Sequence, residues 1–254
     1  MSTVAAGEVA LLRAEGLSVA FGGIRALRLV DLAVGAAEVV GLIGPNGAGK
    51  TTFIDAVSGF LPADGRVILD GNDMQRLTPD KRARRGLVRT FQSAETFAPL
   101  TVAEHLLAAA EPGGLGRALL DLVLPRRGAA PDIGWVLDEL GLAAVADRYP
   151  DELSYGQRKL LDLARALVTK PRVVLLDEPA AGLDTTETAE LADLLRAVRA
   201  RGIGVLLVDH DMDLVLEVCD RVYVLDFGQI IASGTPAAIR ADAAVIGAYL
   251  GTTP

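Results

Sequence analysis

Gly44, Pro45, Asn46, Gly47, Ala48, Gly49, Lys50 and Thr51 have the types and order to hold a polyphosphate. Glycines let backbone N–H groups curl around phosphate oxygens, a helix N-terminus behind them adds partial positive charge, and a lysine reaches the outer phosphates. Thr51 is placed to ligate Mg²⁺. Such a loop needs a strand before it and a helix after it, and the apolar run 39–43 and the segment 52–57 supply them. Only Lys50, Lys81, Lys159 and Lys170 are lysines among 25 basic residues, so a basic composition does not explain a lysine here. An ordinary glycine-rich turn is the competing reading, and the strand and helix flanks count against it.

Further residues carry potential chemistry. Asp177 and Glu178 end the apolar run Val173-Val174-Leu175-Leu176. Adjacent carboxylates closing a buried strand are costly unless they serve a cation or a reaction. Side chains alternate along a strand, which predicts separate tasks: Asp177 holding hydrated Mg²⁺ and Glu178 polarising an attacking water. His210 closes a second apolar strand, 205–208, and in a parallel sheet the carboxyl ends of strands lie together where ligands bind. A plain surface histidine is the alternative. Ser154 is a natural N-cap for a helix over 158–169, an anion site in form but commonplace by itself. Gln92 ends the strand-like stretch 87–91 as an amide able to bind Mg²⁺ or position a water, or simply as a polar strand end. Phe21 sits at a turn, either to stack on a base or as a core or edge aromatic.

The elements that must position these groups read as follows. Residues 8–15 and 17–20 suggest short strands, Phe21-Gly22-Gly23 a turn, and 27–34 and 66–69 further strands. Lys81, Arg82, Arg84, Arg85 and Arg89 read most simply as a solvated helix face, with an interaction surface as the alternative. Thr101 and Glu104 have capping-box spacing and open a helix to 110. His105 on it is expected at the helix surface or satisfied by a partner. Residues 111–114 break the helix, 115–124 form an apolar helix, 125–131 a basic loop, and 132–140 are helical again. No strand signal lies between 97 and 172, so this segment reads as a helical insertion into an α/β core. A helix over 187–201, strands over 222–225 and 229–232, and a helical tail over 236–240 and 245–250 complete the chain.

The chain has 254 residues, a net charge of -8 and 51% hydrophobic residues. No uncharged apolar run approaches the ~20 residues of a membrane helix. The first ten residues lack the basic start and apolar centre of a secretory signal, so a cytosolic protein, held at a membrane only by a partner, is expected. Cys219 is the single cysteine, which excludes an internal disulfide and a cysteine metal cluster. The acidic balance argues against nucleic-acid binding.

Taken in order, the motifs resemble the ATP-binding subunits of ABC transporters over nearly the whole chain. GPNGAGKT resembles the Walker A loop, Gln92 the Q-loop, LSYGQ the signature, VVLLDE Walker B, Gly182-Leu183-Asp184 the D-loop and His210 the switch histidine. The resemblance implies a P-loop NTPase (RecA-like) α/β core with an N-terminal antiparallel β region and an inserted α-helical subdomain. It divides the single nucleotide-binding domain into a catalytic core (1–92 and 171–235), a helical subdomain (93–170) and a C-terminal tail (236–254). It implies ATP and Mg²⁺ as ligands, with Glu178, His210 and Gln92 catalytic and Thr51, Gln92 and Asp177 at the metal. Nucleotide contacts carried over are Phe21, Gly44 to Thr51, Thr52, Ser154, Gly156, Gln157 and Asp184, with Ser154 and Gly156 reaching a γ-phosphate across a head-to-tail dimer. Tyr155 departs from the pattern by standing where glycine is usual.

Phe21-Gly22-Gly23, Arg89-Thr90-Phe91-Gln92, the insertion around 115–127, VDHDM and the ending GTP…AYLG resemble importer subunits for branched-chain amino acids and related polar amides. The implied partners are a second ATP-binding subunit, two permeases and, indirectly, an extracytoplasmic solute-binding protein, at the cytoplasmic face of the membrane. Two other classes of P-loop protein compete with this reading. DNA-repair or translation relatives usually carry a coiled coil or two cassettes per chain, neither of which the sequence shows; a GTPase needs an Asn-Lys-x-Asp motif, which is absent, and a P-loop small-molecule kinase would leave LSYGQ and His210 without a task.

Overall fold

A computed structural model describes residues 10–90, 99–110 and 131–250. Strands β1 (Leu12–Phe21) and β2 (Ile24–Val34) form a hairpin closed by Gly22-Gly23. With β4 (Asp64–Leu69) and β5 (Asn72–Asp73) they make an antiparallel sheet in the order β2-β1-β4-β5. The two short strands expected before Phe21 are one. Gly16, at φ 60°, interrupts the pairing between Ala14 and Leu17, and the bulge resets the alternation that sequence periodicity relies on.

A second sheet has the order β10-β9-β3-β8-β7-β6, formed by β3 (Val39–Ile43), β6 (Leu87–Arg89), β7 (Val173–Asp177), β8 (Gly204–Val208), β9 (Arg221–Asp226) and β10 (Gln229–Gly234). All its pairings are parallel except β9 with β10. Every residue of β3, β7 and β8 is buried. Strands covered on both faces need apolar residues at every position, which is why these runs do not alternate.

The faces themselves do alternate. Val40, Leu42, Val173, Leu175, Leu206 and Val208 pack with Phe53 and Ile54 of helix α1 (Lys50–Ser58) and with the antiparallel sheet. Val39, Ile43, Val174, Leu176, Val205 and Leu207 face the opposite way, into a core shared with the helices. Those helices are α3 (Val102–Ala110), α4 (Gly134–Glu139), α5 (Tyr155–Leu167), α6 (Thr185–Ala200) and α7 (Met212–Val218), while α2 (Pro79–Arg84) lies on the α1 side and α8 (Pro236–Ala241) and α9 (Ala243–Leu250) form the tail. Among the described residues no strand falls between β6 and β7, as the helical-insertion reading expects. The apolar helix expected at 115–124 lies outside the described residues.

The Thr101/Glu104 box forms: Thr101 N–H donates to Glu104 Oε2 at 2.8 Å and Glu104 N–H to Thr101 Oγ1 at 3.3 Å. His105 is buried with Nδ1 2.8 Å from the Thr101 carbonyl, so of its two readings the satisfied one holds.

The basic run 81–89 is not one solvated face. Lys81, Arg84 and Arg85 are exposed, but Arg82 is 3% exposed and Arg89 is largely buried. Arg82 Nη1 donates to the carbonyls of Ala56 (3.0 Å) and Val57 (2.6 Å), and its Nε donates to Leu77 O (3.1 Å). It thereby satisfies carbonyls at the C-terminal end of α1, which a helix leaves without partners. Arg82→Met keeps the stem and strips these donors. The expected loss is about 3 kcal/mol of stability, since buried carbonyls lose their bonds, and urea unfolding followed by circular dichroism measures it; a midpoint equal to wild type refutes the role.

Candidate functional site

The phosphate-type loop joins β3 to α1 as the spacing predicts. Gly49 caps α1 at φ 108°, and a Cβ there would lie 2.7 Å from Ala26 O. A Cβ on Gly44 would lie 2.1 Å from Leu225 O. Only glycine fits either place, because β2 and β9 hold the loop from outside through backbone. Gly228 N–H also donates to Ala48 O at 2.9 Å.

Lys50 is 7% exposed and its ammonium donates to Gly44 O (2.6 Å) and Pro45 O (3.2 Å). Burial lowers its pKa, opposed by the carboxylates of Glu178, Asp177 and Asp209. That opposition is the electrostatic sign that the ends of β3, β7 and β8 converge on one place. Thr51 and Thr52 follow Lys50 in the first turn of α1, where helix N–H groups favour anions.

Asp177 is 4% exposed and its Oδ2 accepts from Arg89 Nη2 at 2.9 Å. Arg89 also pairs with Asp55 of α1 and lies 5.9 Å from the Phe60 ring centroid. One guanidinium thus ties α1, β6 and β7 together. Burial raises the Asp177 pKa, while the Arg89 hydrogen bond and charge pull it down. Its Oδ1 is buried with no hydrogen-bond partner among the described residues. An orphaned carboxylate oxygen near a phosphate-type loop fits a hard divalent cation. Mg²⁺ is commonly held by one or two carboxylates with substrate phosphates and water, and among the described residues no group of three or more His, Cys, Asp or Glu forms a closed cage.

Glu178 leaves the strand with φ 49°, and its N–H donates to Val208 O at 2.7 Å. The divergence of Asp177 and Glu178 therefore comes from a left-handed backbone turn at the strand end as well as from the pleat. His210 lies just beyond β8 with its side chain 61% exposed and Nδ1 3.6 Å from Asp209 Oδ1. Phe21 is 53% exposed at the end of β1, so the core reading fails and a solvent-facing aromatic remains. Gln92 lies outside the described residues.

Ser154 caps α5, accepting from Gln157 N–H at 3.1 Å while the Gln157 side-chain oxygen accepts from Ser154 N–H at 3.0 Å. Asp184 caps α6 in the same manner, its Oδ1 accepting from Thr186 N–H (2.8 Å) and Glu187 N–H (2.9 Å). Ser154, Gly156 and Gln157 line a cleft of about 270 Å³ whose other wall includes Asp177, Glu178, Leu183 and Glu187. None of residues 44–52 lines it. The signature residues therefore share a cleft with the strand-end carboxylates, and the phosphate-type loop does not line it.

Sequence reasoning missed Asp209. It is fully buried, and it accepts from Ala180 N–H (3.0 Å), His210 N–H (2.8 Å) and Asp211 N–H (3.0 Å). It fixes both the loop after Glu178 and the His210 backbone. Its position beside His210 was visible, but the link to Ala180 spans 29 residues and leaves no local pattern.

A mostly parallel sheet with a phosphate-type loop, a strand-end carboxylate pair and a capped signature helix defines a P-loop ATPase of the cassette type. The chain belongs to the ABC transporter family: the family model described as ABC transporter matches residues 27–181. A second model, described as branched-chain amino acid ATP-binding cassette transporter, matches residues 229–253. The chain is 40% identical over 250 residues to the high-affinity branched-chain amino acid transport ATP-binding protein BraF of Pseudomonas aeruginosa, covering 95% of this chain and 98% of that one. It is 41% identical to LivG of Escherichia coli K12, which carries the same description, at the same coverage. It is also 37% identical to the lipopolysaccharide export system ATP-binding protein LptB of Haemophilus influenzae, over 96% of this chain and 98% of that one.

Among solved structures, a nucleotide-free ATP-binding cassette from an ABC transporter aligns with TM-score 0.84 and 34% identity, covering 95% of this chain and 99% of that one. The ADP conformation of the cassette MJ1267 aligns with TM-score 0.83 and 33% identity, covering 96% and 99%. The chain is thus an ABC ATPase, a nucleotide-binding subunit whose hydrolysis of ATP is coupled to transport. Among the described residues no helix is long and apolar enough to cross a membrane.

Proposed function

We propose that this chain is one of two ATP-hydrolysing subunits of an importer for branched-chain amino acids or related polar amides. The observation that supports the head-to-tail part is that Ser154, Gly156 and Gln157 line a cleft to which none of residues 44–52 contributes. A second ATP-binding subunit supplies the missing wall, so ATP lies between one subunit's loop and the other's signature. The division into core (1–92, 171–235), helical subdomain (93–170) and tail (236–254) follows the same reading.

On binding ATP, Lys50 exchanges the Gly44 and Pro45 carbonyls for the outer phosphates, and Phe21 stacks on the base. Thr51, Asp177 and Gln92 would hold Mg²⁺, which would neutralise charge on the phosphates. Glu178 takes the proton of the attacking water, and His210 contacts the γ-phosphate. Gln157 and Asp184, at the capped starts of α5 and α6, contact the nucleotide. Two permeases receive the motion at the cytoplasmic face of the membrane, and an extracytoplasmic protein delivers the solute.

The importer reading is supported by the description of the family model matched at 229–253 and by the identity to BraF and LivG, 40% and 41% against 37% for LptB. Import of another small solute such as urea is the second reading. The test is reconstitution with the permeases and solute-binding protein in proteoliposomes. MgATP-dependent uptake of leucine, isoleucine or valine, with ATP hydrolysis stimulated by the loaded binding protein, is the expected result. Uptake of urea alone moves the assignment to that solute, and stimulation by DNA or ribosomes in place of permeases removes the transport reading.

A further inference from the structure

Helix α5 presents Tyr155 and Lys159 one turn apart on the same side. Both reach the segment that follows β7. Lys159 Nζ donates to the carbonyls of Glu178 (3.2 Å) and Pro179 (3.0 Å). Tyr155 donates its hydroxyl to Ala181 O at 3.2 Å. A Cβ on Gly182, at φ 79°, would stand 3.0 Å from the Tyr155 ring, so the ring rests against bare backbone. The Lys159 ammonium lies 5.5 Å from the centroid of that ring, joining the two side chains into one unit.

The segment they hold is strained. Glu178 sits at φ 49°, a region costly for a residue with a side chain, and such conformations persist only where the surroundings over-determine them. Here the Glu178 N–H is held by Val208 O on one side and its C=O by Lys159 on the other. The peptide groups on both sides of that residue are therefore tied, one to the core sheet and one to the signature helix. Burial lowers the Lys159 pKa, while Asp209, Glu178 and Asp162 act to raise it.

We infer that Tyr155 and Lys159 form a staple by which the signature helix positions the Glu178 carboxylate of its own subunit. Ser154 immediately precedes Tyr155, so contact of the helix start with a phosphate and readiness of Glu178 in the same chain become one mechanical event. This inter-pocket part rests on the head-to-tail reading above. The residue that replaces the usual signature glycine thus has a positioning role, and Lys159 is its partner.

The test uses the assembled transporter with Lys159→Met, Lys159→Arg, Tyr155→Phe and Ser154→Ala. Lys159→Met is expected to lower kcat for ATP roughly tenfold through misplacement of the carboxylate, with KM for ATP little changed because the P-loop is untouched. Lys159→Arg recovers most of that turnover, and Tyr155→Phe, which removes one hydroxyl, lowers kcat less than Lys159→Met. Ser154→Ala combined with Lys159→Met falls short of the product of the two single losses, as coupled groups do. Unchanged kcat in both Lys159→Met and Tyr155→Phe overturns the staple. A raised KM with unchanged kcat overturns it too, by making Lys159 a nucleotide contact. Fully multiplicative losses overturn the inter-pocket part. The Glu178→Gln background separates the two failures: if Glu178→Gln stays monomeric in MgATP, the head-to-tail reading falls and takes the inter-pocket part with it, while the kcat of Lys159→Met still decides positioning. Should Lys159→Met fail to fold, Tyr155→Phe, whose ring stays in place and half exposed, decides alone.

Discussion

Glu178→Gln is expected to stop multiple turnover, lowering kcat roughly a thousandfold, while MgATP remains bound and holds two chains together. The substitution keeps the shape of the side chain and its capacity to accept a hydrogen bond, but an amide cannot take a proton from water. It also removes a negative charge that acts on Lys50 and that would repel a γ-phosphate held there. Loss of the base and loss of the repulsion push in the same direction, toward a filled and stalled site. Gel filtration with and without MgATP reads the dimer, and rapid-quench single-turnover hydrolysis reads the chemistry. Wild-type turnover would transfer the base to another group. A stalled enzyme that remains monomeric, each chain enclosing its nucleotide alone, would remove the head-to-tail arrangement while leaving the base in place.

The second large effect is expected at Lys50. Lys50→Ala should weaken MgATP binding roughly a hundredfold or more, because hydrogen bonds to charged groups in a partly buried site are among the strong ones. Hydrolysis should fall below detection. The loss has two sources. The ammonium that would reach the phosphates is gone, and so is the cation that offsets Asp177, Glu178 and Asp209 at the strand ends. Without it those carboxylates repel an incoming polyphosphate. Arginine should not restore function, since the ammonium donates into a tight loop where Gly44 O and Pro45 O lie 2.6 and 3.2 Å away and a planar guanidinium has no comparable place. Isothermal calorimetry measures the affinity, and affinity equal to wild type would take Lys50 out of the phosphate site.

The two effects differ in what they leave behind. Glu178→Gln spares binding and removes chemistry, whereas Lys50→Ala removes binding first. That contrast follows from where each group stands: Lys50 lies inside the phosphate-type loop, and Glu178 follows the end of β7 and lines the same cleft as Ser154 and Gly156.

The amino-acid sequence by itself determined the backbone of this site. The order strand, glycine-rich loop and helix at 39–58, the apolar strands ending in Asp177 and before His210, and the Ser154 cap are all local patterns, written within a few residues of one another. Spacing reports such features because hydrogen bonds within a turn or along a strand repeat at fixed intervals. The family was legible for the same reason, its motifs being short and ordered.

Only the tertiary structure decided how side chains far apart in sequence are used. Arg82 and Arg89 looked like members of an exposed basic run, yet one satisfies carbonyls at the end of α1 and the other joins Asp55 to Asp177, 88 residues away. Tyr155 looked like a departure at a loop, yet its hydroxyl reaches Ala181, 26 residues on. Asp209 looked like a neighbour of His210, yet it holds Ala180. The physical reason is common to all of them. A buried charge must find a partner, and even a half-exposed hydroxyl such as that of Tyr155 bonds to what the fold brings near; that partner is chosen by which elements lie side by side, which no local period records.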